Sequence, residues 1–270
     1  MDRQPVVAGQ FYPGSAAALA GEVRSLLGPA QDQTGRPQTL LAMVPHAGWV
    51  YSGAVCGRTL AQASLARTIL LLGPNHTGLG EPLAVWPAGR WLFPGGHLAV
   101  DENLAAALLA AEPRLAADES AHVQEHSLEV IVPFLWSLDP QARIVPVCVS
   151  EPNLAALLDV GRNVAETLAA RGEPVSVVVS SDMSHYIPHE QAKARDALAV
   201  EAACRLDPEG LYRVVRERGI SMCGVLPMTL GLAVARGLGA SAAELAAYAT
   251  SGEVNRDFRR VVGYAGVLAI

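Results

Sequence analysis

The sequence is poor in lysine: Lys193 is the only one among 270 residues, and the remaining cations are arginines that form no basic block. With a net charge of −6, that distribution offers no electrostatic footprint for DNA or RNA. Long apolar runs are also missing. Stretches such as 68–73 and 175–179 are far shorter than the ~20 residues that cross a bilayer, and Arg, Asp and Glu interrupt the alanine-rich segments. No membrane span is expected. The four cysteines, Cys56, Cys148, Cys204 and Cys223, show no C-x-x-C spacing, and the chain opens without a charged region followed by an apolar one, so a cytoplasmic protein with reduced thiols is expected. Neither a G-x-S-x-G elbow nor an H-E-x-x-H run occurs, which weakens a Ser-His-Asp hydrolase and leaves no recognisable zinc motif.

About half of the residues are apolar (51%), enough to bury a sheet completely. Apolar positions at helical spacing predict helices over 15–27, 53–65, 101–112, 127–138, 153–171, 189–205, 208–218 and 225–237. Short apolar runs over 39–44, 68–72, 143–149 and 175–180 suit buried strands, and 244–250 and 261–270 read as strands at a sheet edge. A polar stretch over 31–38 separates the first helix from the first strand. The run 39–72 then reads strand, helix, strand, a βαβ crossover. Residues 81–100, rich in Pro, Gly and Trp, fit a hairpin or loop excursion. With no internal repeat or composition break, the expectation is one α/β domain over 1–270 with a central mixed sheet flanked by helices.

Four segments place a metal-binding or proton-moving group after an apolar, strand-like run: V44-P45-H46, L72-G73-P74-N75-H76, S181-D182-M183-S184-H185 and M222-C223-G224. Groups at the carboxyl ends of parallel strands converge in one crevice. A single histidine beside a strand is usually a hydrogen-bonded bystander, but His46 and His76 follow strands of the same βαβ unit in loops stiffened by Pro and Gly, and together they favour ligation. Cys223 is either an inert buried thiol or, with cations lowering its pKa, a metal-binding thiolate. Asp182 would orient His185, or else cap a turn. In Q124-E125-H126-S127, Ser127 is a plausible helix N-cap, whereas Glu125 and His126 either contact a substrate or metal-bound ligand or stand as solvated loop residues.

The blocks AGQFYPG (8–14), PHAGWVYSG (45–53), LGPNH (72–76), EHSLEVIVPFL (125–135), SSDMSHY (180–186), MCG (222–224), YATSGEV (248–254) and GYAG (263–266) span nearly the whole chain. In order and spread they resemble the Memo family, named for a mediator of ErbB2-driven cell motility, whose bacterial and archaeal members are called AmmeMemoRadiSam system protein B. The resemblance implies the fold of the class III extradiol dioxygenases (LigB-like), non-heme iron enzymes whose metal is held by two His and one Glu. At the matching positions stand His46, His76 and Cys223 as ligands and His185, with Asp182 beside it, at the position of the general base. Phe11, Trp49, Tyr51 and His126 would line the pocket.

The resemblance implies a redox protein using Fe(II), or copper, on a small molecule that is aromatic in the parent class; the soft thiolate in place of a carboxylate keeps the parent reaction from transferring directly. It also implies a functional link to AMMECR1-like and radical SAM proteins. The alternatives are a peptide- or protein-binding module without catalysis and a metal-handling protein without turnover. The sequence speaks against phosphate recognition, because no Arg cluster flanks the candidate pocket along the chain.

Overall fold

The computed structural model describes residues 1–29 and 35–270; residues 30–34, part of the polar stretch noted above, lie outside the described residues. Period-2 burial organises the fold, because successive side chains of a strand point to opposite faces. In β1 (Leu41–Val44), Leu41 and Met43 enter one apolar core while Ala42 and Val44 enter the other. β2 (Thr68–Pro74) divides Leu70 and Leu72 from Ile69 and Leu71 in the same way, and β8 (Val175–Ser180) divides Val177 and Val179 from Val178. Strands buried on both faces must be covered by two layers of helices.

One layer contains α1 (Ala16–Leu27), α2 (Trp49–Gln62) and α4 (Val132–Leu138). The other contains α3 (Glu102–Ala111), α5 (Leu154–Ala170), α6 (His189–Cys204), α7 (Pro208–Glu217) and α8 (Val225–Gly237). Between them β1, β8, β2 and β7 (Arg143–Val149) run parallel in that spatial order. β1 and β2 are thus not neighbours: β8 lies between them, so the predicted strand-helix-strand unit skips one position. Beyond β1 lie the antiparallel strands β11 (Val261–Ala269) and β10 (Ala243–Thr250). Of these two, only β10 is at the edge.

One sequence expectation is extended and two are corrected. The hairpin expected within 81–100 forms, β4 (Arg90–Phe93) pairing antiparallel with β5 (Gly96–Val100), and joins the sheet, since β3 (Leu83–Val85) pairs antiparallel and β5 parallel with β7. Beyond β3, the short β6 (Ala116–Ala117) closes that edge. The helix predicted over 127–138 begins only at Val132, and residues before it form turns that Ser127 does not cap; its hydroxyl donates to the Pro74 carbonyl instead (3.1 Å). Finally, Cys223 does not follow a strand but precedes α8. Among the described residues no helix is long and apolar enough to cross a membrane.

Candidate metal centre

His46 lies two residues past β1, His76 two past β2 and Asp182 two past β8, so the parallel register delivers all three to one end of the sheet. Cys223 reaches the same place from the loop before α8, which packs against β1, β2 and β8. Its approach depends on Gly224: a Cβ there would lie 2.4 Å from the Ser181 Cβ and 2.5 Å from the Ser180 carbonyl oxygen. The donor atoms of His46, His76 and Cys223 all lie within 4.8 Å of one another.

Hydrogen bonds fix which imidazole nitrogen is free. The Ser180 hydroxyl donates to the Ser127 carbonyl (2.7 Å), so at 2.6 Å from His46 Nδ1 its oxygen accepts, and Nδ1 carries the proton. Nε2 of His46 is left with its lone pair, 3.2 Å from Cys223 Sγ. Burial and the neighbouring His76 and His126 charges hold His46 well below the usual imidazole range, so it is a neutral donor near pH 7.

His76 is set by Glu125, whose buried carboxylate accepts from the His76 backbone N–H (2.5 Å) and from Nδ1 (2.9 Å). Again Nε2 is free. Burial alone would raise the Glu125 pKa, but the His76 hydrogen bond and charge and the backbone N–H groups of Ser127 and His76 overcome it and hold the group at about 2. Burial lowers the His76 pKa; the bond and charge of Glu125 outweigh that and raise it. Glu125 also lies near His126 and forms with it and His76 a second group of donor atoms. Its oxygens already accept from the N–H groups of His76, His126 and Ser127, so Glu125 is placed to hold the His76 ring.

The Cys223 sulfur accepts from the Asp182 N–H (3.2 Å). Burial and the Asp182 charge push the thiol pKa far up, so its proton is given up only to a strong positive charge, which a bound cation supplies. Asp182 itself accepts from the His46 N–H (2.8 Å) and the Ala47 N–H (3.3 Å). Burial raises it to about 6 against those bonds and the His185 charge.

His185 is oriented by Ser221 and not, as the sequence suggested, by Asp182. Its Nδ1 donates to the Ser221 carbonyl (2.9 Å) while its backbone N–H donates to the Ser221 hydroxyl (2.7 Å). The physical reason is that both Asp182 bonds go to the loop after β1. Among the described residues no hydrogen bond engages His185 Nε2.

Of the other candidates, His126 stacks on His76 with ring centroids 4.9 Å apart, and Phe11 meets the His126 edge at 4.8 Å. Tyr51 is partly exposed on α2. Trp49 is buried (3% exposed), packs against Tyr12 and Phe134 and donates its indole N–H to the Val130 carbonyl (3.0 Å). Sequence reasoning missed the holding roles of Ser180 and Ser221, for which a lone serine gives no signal, and that of Glu125 toward His76. It also missed buried Arg3, whose guanidinium pairs with Glu129 (2.9 Å) while Glu129 accepts from Val6, Val7 and Tyr12. That clamp sets the N-terminal segment carrying Phe11. Grooves of about 550 and 630 Å³ open near the amino ends of the central strands, among residues such as Arg24 and Leu138 or Arg67 and Arg171, away from these groups.

The fold is shared with a solved structure, an uncharacterized protein from Escherichia coli K12, at a TM-score of 0.51 and 15% identity over 84% of this chain and 99% of that one. A family model described as Memo-like protein matches residues 3–268. MEMO1 family proteins of Methanopyrus kandleri (38% identical, 99% of both chains) and Aquifex aeolicus (37% identical, 98% of both chains) are similar over their full lengths. The chain therefore belongs to the Memo family.

Proposed function

We propose that this protein is a metal-dependent redox protein acting on a small molecule, with His46, His76 and Cys223 as ligands of Fe(II), or of copper, and His185 as the proton acceptor. The observation that carries this reading is how the rings are held: Ser180 and Glu125 each engage a ring at Nδ1, so both Nε2 atoms are turned toward the group that includes Cys223 Sγ. A neutral imidazole at His46, a second imidazole at His76 and a thiol, the last two giving up a proton when a cation binds, form a donor set suited to a first-row metal, with the sulfur favouring the softer ion.

When bound, such an ion supplies redox chemistry and coordination positions for a small molecule. The chain does the rest. Glu125 and Ser180 keep the ligand rings aimed, Asp182 fastens the loop carrying His46 and donates an N–H to the Cys223 sulfur, and His185 Nε2 takes a proton from the substrate. Phe11 and His126 present ring surfaces against which a flat molecule can lie.

The test uses anaerobically purified protein loaded with Fe(II) or Cu(I). His46→Ala loses the metal while keeping its thermal unfolding transition, and His185→Gln keeps the metal but loses dioxygen uptake in the presence of small aromatic substrates. Unchanged metal in His46→Ala removes the ligand assignment. Bound metal with no dioxygen uptake by the parent protein replaces turnover with metal handling.

A further inference from the structure

The segment Asn255-Arg256-Asp257-Phe258-Arg259-Arg260 lies some seventy residues from His185 along the chain, and in sequence it flanks nothing in the candidate pocket. Strand pairing changes that. β9 (His185–Ile187) pairs antiparallel with the start of β11, Val261 opposite Ile187 and Val262 opposite His185. The preceding loop is tied down by the His189 N–H donating to the Phe258 carbonyl (2.9 Å), with their rings 5.2 Å apart. Arg260 is thereby set beside Tyr186, its guanidinium carbon 5.7 Å from the ring centroid.

Two features separate this corner from an ordinary charged surface. Tyr186 has φ 60°, the left-handed region that side chains larger than Asn rarely adopt, and remains 65% exposed, whereas φ 62° at Arg256 is the ordinary left-handed end of the short helix Gly252–Asn255. Such strain in an exposed aromatic adjoining His185 points to a use outside folding. Arg260 is also in no close ion pair, although the Asp257 charge reaches it. Asp257 is committed to Arg259 (2.9 Å) and Glu253 accepts from the Thr250 N–H, while Glu190 lies by His189 and Lys193. Among the described residues no carboxylate is within ion-pair distance of Arg256 or Arg260. The corner also adjoins His185 directly, the Tyr186 and His185 ring centroids lying 5.8 Å apart.

We propose that Arg260, set over Tyr186, recognises an anionic oxygen group, carboxylate or phosphate, on the small molecule that the metal centre takes. This deepens the proposed function and rests on it for the identity of the neighbouring site. A guanidinium above an aromatic ring presents its planar fork to two oxygens of such a group. The imidazole of His185, the residue next to Tyr186, then faces the part of the molecule that carries the transferable proton.

The test measures calorimetric binding of benzoate, phenyl phosphate and the neutral benzamide, each to metal-free and to metal-loaded protein. Benzoate or phenyl phosphate should bind roughly tenfold or more tightly than benzamide, and the tighter of the two identifies the oxyanion. Arg260→Gln should abolish that preference, Arg260→Lys should restore it in part, and Arg205→Gln, at the far end of α6 and paired with Glu201, should leave it intact. Equal binding of all three probes, no binding by any, or an anion preference that survives Arg260→Gln overturns the proposal. Metal content is read on the same samples: stoichiometric metal with no anion preference overturns the anion site alone, while a preference without metal leaves the anion site standing and removes the metal reading.

Discussion

The Glu125 carboxylate holds His76 at two points, accepting its backbone N–H at 2.5 Å and its ring Nδ1 at 2.9 Å. The imidazole can neither rotate nor change tautomer without breaking a charge-assisted bond in a buried site. Glu125→Gln keeps the size and removes the charge. Metal affinity should fall by roughly 10–100-fold, measured by competition with a chelator; an unchanged affinity would mean that His76 needs no such partner.

Gly224→Ala places a methyl group against Ser181 and the Ser180 carbonyl, where neither backbone nor β8 can yield cheaply. Overpacking of this kind costs about 1–3 kcal/mol. The variant should unfold at lower denaturant and bind metal more weakly, because the strain lands on the residue next to Cys223. Parent-like values of both would refute the close approach.

Trp49 sits in the alignment of blocks that suggested a pocket wall, yet its indole is buried and bonded to Val130. Trp49→Phe leaves that carbonyl without its donor and should cost about 1–3 kcal/mol of stability. Metal content should not change. A loss of metal with intact stability would instead put Trp49 at the site.

Acid sensitivity has a source outside the centre. Burial pushes His122 down to about 4 against its bond to the Ala84 carbonyl, whereas an unfolded histidine titrates at about 6.5. Between those values the unfolded chain binds a proton that the native one does not, so this contribution to stability is complete above about pH 6.5 and is lost as pH falls through about 4. Urea midpoints at pH 7.5 and pH 5 should drop more for the parent than for His122→Gln. Equal drops would show that His122 is not the group responsible.

Much of this architecture was legible because apolar runs of four to seven residues alternating with amphipathic helices leave little choice but a doubly covered sheet. The positions of His46, His76 and Asp182 followed from the ends of those runs. What sequence could not supply was pairing order. The insertion of β8 between β1 and β2, the recruitment of residues 83–100 into the sheet, and the apposition of Arg260 with Tyr186 are all long-range contacts. Local pattern carries no record of them. The helix expected at 127 failed for a related reason, since Ser127 and Glu125 use their polar atoms on the β2 loop and on residues 126 and 127 themselves.

The central claim is that His46, His76 and Cys223 together hold one metal ion, and elemental analysis of anaerobically purified protein tests it most directly. The parent should carry near-stoichiometric iron or copper, and both His76→Ala and Cys223→Ala should lose it while remaining folded. A parent protein that purifies without metal and takes up neither Fe(II) nor Cu(I), or variants that retain the parent's metal, would contradict it.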